Sequence, residues 1–332
     1  MKKIWIVYLL LFACFALYVL DYHSQTRLND QWNSGGLQGS IDEKYVMVTF
    51  QRGIDYWKSG LKGFEDAAQA LNVSVEYRGS TQRDIHEQIT VLEQAIAKKP
   101  AGIAISAIHP TELTATINKA VDAGIPVVLF DSDAPGSRAF SFLGTDNYSA
   151  GVEAARKMAE LTGGRGEVAI VTVPDQQNHQ ERTDGFADTV SKEFPDMHIA
   201  AIKNGKGDEL YSRQSAEEIL RDIPGIAGIF TTEANGGIGV AEAVREYGLT
   251  PSGPKIISFD TDKGTLDLVK SGDISATMAQ GTWNMGYWSL HLLFSLKHDP
   301  DGSQHPGPRV PQRLDTGITV VTRQNVNDYY AK

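Results

Sequence analysis

The sequence predicts an α/β protein of two lobes, each built on a parallel sheet with helices on both faces. Two observations support this prediction. From Lys44 onward, short apolar segments alternate with longer segments whose apolar residues recur at helical spacing. The short segments are almost continuously apolar, as in strands that are buried on both faces, and the alternation runs through the chain twice. The length of 332 residues suits two such lobes.

Four predicted strands belong to the first series of elements, and a helix follows each of the first three. Trp57, Leu61 and Phe64 illustrate the helical spacing, since each lies three or four residues after the one before. Pro100 ends one helix, because proline lacks the amide hydrogen that continuation requires. The predicted strands lie at 45–50, 73–77, 102–106 and 127–130.

The second series begins with a helix at 148–161 and ends with a long helix at 282–297. Its predicted strands lie at 168–172, 198–202, 228–231, 255–259 and 276–279, with helices at 180–194, 208–221, 236–246 and 262–271 between them. Residues 298–313 are rich in Asp, Gly, Pro and His and are predicted to form a loop. A last strand is predicted at 318–321.

The N-terminal segment predicts attachment to a membrane. Lys2 and Lys3 precede an uninterrupted apolar run at 4–20, which as a helix spans roughly 25 Å. The two lysines place the N-terminus inside and the remaining chain on the outer face of the cytoplasmic membrane. A cleaved signal peptide and a lipid anchor on Cys14 are the alternatives. No small-residue cleavage site follows the run, and the run continues past Cys14, which favours an uncleaved anchor.

Composition excludes several classes of function. The net charge of −10 argues against a nucleic-acid partner, because an acidic surface repels phosphate. The single cysteine, Cys14, lies in the apolar run, so the folded part has no disulfide and no cysteine nucleophile. Asp131, Asp133 and Asp146 lack the spacing of a calcium loop, and no zinc or nucleophile motif is present. We therefore expect no metal, no cofactor and no catalytic activity.

Polar and aromatic residues follow almost every predicted strand. In open parallel sheets, ligands bind beyond the carboxyl ends of the strands. Carboxylates, amides, guanidiniums and flat rings together suit a polyhydroxylated ring, whose hydroxyls donate and accept while its C–H faces stack on aromatic rings. The residues concerned are Gln51, Arg52, Tyr56, Trp57, Ser106, Asp131, Ser132, Asp133, Thr145, Asp146, residues 176–182, Glu233, Asn235, Asp260, Gln280 and Trp283.

An ordered set of motifs at these strand ends resembles the type I periplasmic sugar-binding proteins, the ribose- and galactose-binding family. The resemblance covers residues 44 to about 325. The motifs that carry it are Tyr56-Trp57, Val127-Val128-Leu129-Phe130-Asp131, Gly144-Thr145-Asp146-Asn147, Glu181-Arg182-Thr183-Asp184-Gly185-Phe186, Ile257-Ser258-Phe259-Asp260 and Ala276-Thr277-Met278-Ala279-Gln280.

The resemblance implies two Rossmann-like lobes joined by a three-strand hinge, with passages near 146, 280 and 313. The anchor or signal segment then occupies 1–21, and a polar, aperiodic tether occupies 22–43. The expected N-terminal lobe comprises 44–145 plus 281–313, and the C-terminal lobe comprises 146–280 plus 314–332.

The resemblance also implies roles for individual residues. Tyr56 and Trp57, with Phe259, are expected to offer apolar faces to a sugar. Asp131 and Arg182 are expected to act as polar clamps from opposite lobes.

Four further positions follow from the same resemblance. Asp260 and Gln280 are expected to hold hydroxyls near the hinge. Ser106 and Thr145 stand where members of the family place small polar contacts. Trp283 fits the cleft and the core equally well.

Two departures from the family pattern bear on the ligand. Glu233 and Asn235 stand where ribose binders carry Asn-Asp after the corresponding strand, so we expect a ligand other than ribose. Arg52 stands in the first loop, where the family usually has Asn-Pro, and it is expected to add a cation to the cleft.

These observations predict an extracytoplasmic binding protein that closes over a small sugar or polyol and delivers it to the permease of an ABC importer. The alternative is a sugar sensor that docks on the extracellular domain of a membrane histidine kinase. An isomerase or epimerase using Asp131 and Glu233 is the weakest alternative, because no catalytic motif supports it. LacI-type repressors share the same two-lobed α/β core. They carry a basic helix-turn-helix at the N-terminus, where this chain has an apolar segment, so a repressor is not expected.

Overall fold

The computed structural model describes residue 15 and residues 38–54, 56–250, 252–299 and 310–330. Apart from Phe15, the predicted anchor at 4–20 lies outside the described residues, and the tether is described only from residue 38. Within the described ranges, no helix is both long and apolar enough to cross a membrane.

The first part of the chain forms five parallel strands and three helices. The strands are β1 (Lys44–Thr49), β2 (Ser74–Gly79), β3 (Gly102–Ile105), β4 (Val127–Phe130) and β5 (Ser141–Gly144). The helices are α1 (Tyr56–Leu71), α2 (Ile85–Ala97) and α3 (Thr114–Asp122). Strands β1, β3 and β4 are almost entirely buried, which explains their continuous apolar sequence.

The second part repeats this alternation. Its strands are β6 (Arg165–Thr172), β7 (Asp196–Asn204), β8 (Gly228–Thr231), β9 (Lys255–Phe259) and β10 (Ala276–Gln280). Its helices are α4 (Asn147–Thr162), α5 (Gln177–Glu193), α6 (Glu209–Asp222), α7 (Gly236–Glu246) and α8 (Lys263–Ser271). Aspartates cap three of these helices by accepting backbone N–H groups of the first turn, namely Asp146, Asp208 and Asp262.

The remaining elements return to both sheets. Helix α9 (Thr282–His298) packs on α1, and a short 3₁₀ helix follows at Val326–Asp328. Strand β11 (Arg313–Asp315) joins the first sheet and β12 (Ile318–Val321) joins the second. The strand orders are β2-β1-β3-β4-β5-β11 and β7-β6-β8-β9-β10-β12. The predicted pair of α/β lobes with parallel sheets is therefore confirmed, with β12 antiparallel to β10.

Two strands were absent from the prediction, and both lie at passages between the sheets. No helix separates β5 from β4, and β11 contains only one apolar residue, so neither strand continued the alternation on which the prediction relied. Because β11 pairs with β5, the last passage falls after Asp315 and not at 313. The other two passages follow β5 and β10. The remaining lobe bounds stay a prediction.

Glycines allow the helices of each lobe to approach closely. A Cβ on Gly63 in α1 would lie 2.1 Å from the carbonyl oxygen of Trp283, and one on Gly286 in α9 would lie 1.8 Å from that of Gly60. Backbone therefore lies directly against backbone, and no side chain fits between the two helices. Similar contacts join α4 to α5 and α6 to α7, at Gly151, Gly185 and Gly239.

We expect Gly63→Ala to destabilise the protein by about 1–3 kcal/mol, because the methyl group meets a fixed backbone carbonyl. Gly60→Ala in the same helix is the matched control. Its Cβ would lie 3.5 Å from the Thr282 carbonyl oxygen, an ordinary contact, so alanine should be neutral or stabilise by up to about 1 kcal/mol. Thermal unfolding of both variants measures the difference. Equal melting temperatures would show that α1 and α9 do not pack through this contact.

Candidate functional site

A cavity of about 590 Å³ lies where the carboxyl ends of the two sheets face each other. This volume is in the range of small-molecule sites. Side chains from both parts of the chain line the cavity. They are Phe50, Gln51, Ile54, Tyr56, Arg83, Asp131, Ser132, Gln176, Asn178, His179, Arg182, Asp208, Glu233, Asn235, Asp260, Asp262 and Gln280, together with Gly53, Gly207 and Ala234.

Two buried aspartates occupy equivalent places in the two sheets. Asp131 follows β4 and Asp260 follows β9, and each of these strands is the fourth in its sheet. Both residues have left-handed backbone conformations, with φ of 62° and 66°. Such conformations cost a non-glycine residue roughly 1–3 kcal/mol and are concentrated at functional sites. The backbone turn aims both carboxylates into the cavity.

Three hydroxyls hold the Asp131 carboxylate. Tyr56 donates its phenolic O–H to Oδ1. Ser106 and Ser132 donate to Oδ2 at 3.1 Å and 2.9 Å. Burial, together with the negative charges of Asp131 and Asp260, raises the pKa of Tyr56 well above its usual value. Tyr56 therefore keeps its proton and remains a donor.

Gln280 connects this group to the second lobe. Its amide nitrogen donates to the Tyr56 hydroxyl at 3.2 Å and to Oδ1 of Asp260 at 2.8 Å. Its amide oxygen accepts from the Thr145 hydroxyl and from Arg182, both at 2.9 Å. All four hydrogen-bonding positions of the amide are used, so its orientation is determined.

Arg182 is the buried cation of the network. Its Nε donates to Oδ1 of Asn147 at 2.9 Å, and Nη1 donates to the Thr232 carbonyl oxygen at 2.8 Å. The guanidinium lies 3.8 Å from the centre of the Phe259 ring, a cation–π contact that holds it flat. Burial lowers the pKa of Arg182, while the Asp260 carboxylate acts in the opposite direction. The guanidinium stays charged at any physiological pH.

Two carboxyls of the cavity have raised pKa values. Burial raises the pKa of Asp260 to about 7, against the opposing effects of Arg182 and Gln280. Burial also raises the pKa of Glu233 to about 7, against the Asn235 amide and the Arg83 charge. Oε2 of Glu233 accepts the Asn235 backbone N–H at 2.9 Å. Oε1 is buried and makes no hydrogen bond with any part of the chain that the structure describes.

Most of the predicted site residues do converge on one cavity. Seven of them line it, namely Tyr56, Asp131, Arg182, Glu233, Asn235, Asp260 and Gln280. Ser106 and Thr145 are fully buried behind it, where they hold Asp131 and Gln280. Their expected role as ligand contacts is therefore replaced by a supporting one. The ligand roles of the seven lining residues stay a prediction.

Two predicted sugar platforms are placed elsewhere. Trp57 is 3% exposed and packs edge-on against Phe50 and Phe130 in the core. Phe259 is fully buried beneath the Arg182 guanidinium. Both expectations are corrected, because both rings point to the core side of their elements. Trp283 lies in neither the cleft nor the core, since it is 37% exposed and donates to Asp66 at 3.0 Å.

Several lining residues were missed by the sequence analysis, among them Phe50, Arg83 and Asp208. Arg83 follows β2, so the strand-end rule that found the other residues could have found it. Arg52 was expected to supply the extra cation, but its side chain is exposed and does not line the cavity. His179 hydrogen-bonds through Nδ1 to the Thr232 carbonyl oxygen at 2.9 Å. Burial and the neighbouring arginines lower its pKa well below the usual value, so His179 is neutral.

Across the described residues, no group of three or more His, Cys, Asp or Glu side chains is placed to hold a metal ion. Many polar groups of the cavity hydrogen-bond to one another, as around Asp131 and Gln280. Such a cavity suits a ligand rich in hydroxyl groups, because hydroxyls can both donate and accept.

Two α/β lobes, three passages between them and a polar cavity at the facing sheet edges define a hinged binding protein for small ligands. The chain belongs to the periplasmic binding protein domain family, whose model matches residues 45–299.

Solved structures and curated relatives agree with this assignment. The chain is 65% identical to an arabinose binding protein from Geobacillus stearothermophilus, with a TM-score of 0.81 over 87% of this chain and 99% of that one. It is 64% identical to the sugar-binding protein of a sugar ABC transporter from Bacillus halodurans, with a TM-score of 0.82 over 87% and 100%. The D-allose-binding periplasmic protein of Escherichia coli K12 is 26% identical, over 81% of this chain and 88% of that protein.

The raised pKa of Asp260 predicts a pH-dependent stability of the ligand-free protein. An aspartate in the unfolded chain has a pKa of about 3.9, so the folded state binds the extra proton between pH 4 and about 7. Stability should therefore fall as the pH rises through this window, and the loss is complete above it. Each pKa unit by which the folded value exceeds the unfolded one lowers the free energy of unfolding above this window by about 1.4 kcal/mol.

We expect Asp260→Asn to remove this cost, because the amide is neutral at every pH. The variant should be more stable than the wild type at pH 8 and should approach it at pH 4. Melting temperatures of the ligand-free protein at intervals between pH 4 and 8 measure the effect. Glu65→Gln, at an exposed carboxylate on α1, controls for general charge effects. Parallel curves for wild type and Asp260→Asn would contradict the raised pKa.

Proposed function

We propose that the protein is an extracytoplasmic sugar-binding protein that closes over a small neutral sugar and delivers it to an ABC importer. The Tyr56–Gln280–Asp260 chain of hydrogen bonds is the observation that carries this proposal. It joins polar groups of both lobes at one wall of a cavity large enough for a small sugar. A ligand that contacts both lobes has more partners when they are closed, and its binding therefore favours closure. The chain then acts as a binding protein and not as an enzyme.

The charge of the cavity favours a neutral ligand. Five carboxyl groups line it, of which Glu233 and Asp260 have pKa values raised to about 7, against the two guanidiniums of Arg83 and Arg182. Anionic sugars would be repelled by this excess of negative charge. The similarity to an arabinose binding protein supports a pentose such as arabinose. The Glu233 carboxyl, which departs from the ribose-binding pattern, agrees with a sugar other than ribose.

An importer is supported by the Bacillus halodurans relative, which is described as part of a sugar ABC transporter. Nothing in the relatives named above favours the histidine-kinase sensor that the sequence left as an alternative. The partner that we propose is therefore an ABC permease in the cytoplasmic membrane.

Arabinose and arabinose 5-phosphate test the ligand class, because the ester adds negative charge to the same pentose and also prevents its pyranose ring. We expect arabinose to raise the melting temperature and the phosphate ester to have no effect, since a ligand that binds only the folded state stabilises it.

In calorimetry, Asp260→Ala and Arg182→Ala should each weaken arabinose binding at least tenfold, about 1.4 kcal/mol.

Arg156→Ala serves as the control for these variants, because Arg156 is exposed and pairs with Glu193 on the outer face of α4. It should bind like the wild type. Unchanged affinity in both cavity variants would remove Asp260 and Arg182 from the site. Binding of the phosphate ester, or of no aldose at all, would contradict the proposed ligand class.

We also propose that residues 4–20 stay attached as a membrane anchor on the outer face of the cytoplasmic membrane and that Cys14 carries no lipid. The apolar run that continues past Cys14 supports this proposal. Metabolic labelling with a fatty-acid analogue should label neither the wild type nor Cys14→Ser, while both fractionate with membranes. Label that depends on Cys14 would replace the anchor with a lipidated N-terminus, and a protein found free of membranes would indicate cleavage.

A further inference from the structure

The cavity also holds two charged side chains from opposite lobes, Arg83 and Glu233, that take no part in the hydrogen bonds of Gln280. Arg83 belongs to the first lobe and directly precedes Asp84, the capping residue of α2. Glu233 belongs to the second lobe and lies just beyond β8. Both line the cavity. Their charges act on each other, since the Arg83 charge opposes the rise in the pKa of Glu233.

Both charged groups keep hydrogen-bonding capacity that the described chain does not use, and Arg83 is exposed to solvent. Glu233 is 7% exposed, and its buried Oε1 has no hydrogen-bond partner in the described ranges. A buried acceptor without a partner costs about 1–3 kcal/mol. Arg83 stands over the Phe50 ring at 5.2 Å. The described chain provides its guanidinium with that ring contact but with no hydrogen bond or ion pair.

Arg83 already reaches the second lobe. A Cβ on Gly207 would lie 3.2 Å from Nη1 of Arg83. Gly207 has a φ of +68° and belongs to the loop before α6. The Arg83 guanidinium therefore lies close to a loop of the second lobe, and a side chain on Gly207 would have to displace it slightly.

The chemistry of the two groups restricts what can lie between them. A guanidinium only donates hydrogen bonds and a carboxylate only accepts them. An amine would leave Arg83 without an acceptor, and a ligand carboxylate would be repelled by Glu233. Two adjacent hydroxyls satisfy both groups, since one can accept from Arg83 while the other donates to Oε1 of Glu233.

We propose that Arg83 and Glu233 bind a pair of adjacent hydroxyls at one end of the sugar and thereby determine which sugars are accepted. The proposal rests on the proposed function, because it concerns the same cavity. The Gln280 amide is saturated by its own hydrogen bonds, whereas Oε1 of Glu233 and the Arg83 guanidinium have none within the described residues. Discrimination between sugars therefore falls mainly on this pair.

The test measures affinities of wild type, Arg83→Ala and Glu233→Gln for arabinose and for its four singly deoxygenated analogues. Sites that hydrogen-bond a hydroxyl reject analogues that lack it by factors of about 10⁴. We expect the wild type to bind two of these analogues at least 100-fold more weakly than arabinose. Each of the two lacks one member of the same pair of adjacent hydroxyls. Each variant should bind arabinose at least tenfold more weakly and should no longer discriminate against one of those two analogues.

Arg52→Ala is the matched control for Arg83→Ala, because Arg52 is exposed in a neighbouring loop and does not line the cavity. It should bind all the sugars like the wild type. Gly207→Ala should weaken arabinose binding by displacing Arg83, and should have no further effect in the Arg83→Ala background. Gly248→Ala controls for backbone cost, since Gly248 has a φ of +69° with open space around its Cβ position.

Variants that bind arabinose like the wild type would overturn the assignment while leaving the sugar-binding function intact. Variants that weaken all five ligands equally would also overturn it, because they would show that the two residues act only on lobe closure. A wild type that binds no arabinose, with the fold intact, would overturn the proposed pentose ligand and this inference with it.

Discussion

The rest of the site depends on the four hydrogen bonds of Gln280. This amide stands at the end of β10, where the chain passes from the second sheet to the first, and it holds Tyr56, Thr145, Arg182 and Asp260 at once. Because all its donors and acceptors are used, a rotation of the amide would break several bonds together. The clamps of both lobes are thus oriented from a position that belongs to the hinge.

The two lobes use one plan, and this explains why the clamps oppose each other. Asp131 and Asp260 follow equivalent strands, and both have left-handed backbone conformations. Because the carboxyl ends of the two sheets face each other, both carboxylates lie at one cavity. Glycine contacts at Gly151 and Gly185 draw α5 onto α4 and thereby position Arg182 beneath its partners. Backbone packing between these two helices therefore helps to decide where the buried cation lies.

Sequence reasoning succeeded where a local pattern carried the information. Long buried strands such as β6 and long helices were visible in apolar periodicity, and Asp131 and Asp260 were identified by their position after strands. Strands β5 and β11 were missed because β5 follows β4 without a helix between them and β11 has a single apolar residue. Trp57 and Phe259 were misassigned because a pattern of apolar residues does not tell which ring faces the core and which faces the ligand.

By itself the sequence determined the alternation of strands and helices, the parallel sheets, and the set of polar residues available at the strand ends. Tertiary structure decided which of them meet. Gln280 and Tyr56 bond across 224 positions of sequence, and Arg83 and Glu233 line one cavity only because the two lobes are placed edge to edge. Periodicity describes the burial of one segment at a time, whereas contacts between distant side chains depend on how the chain returns between the lobes.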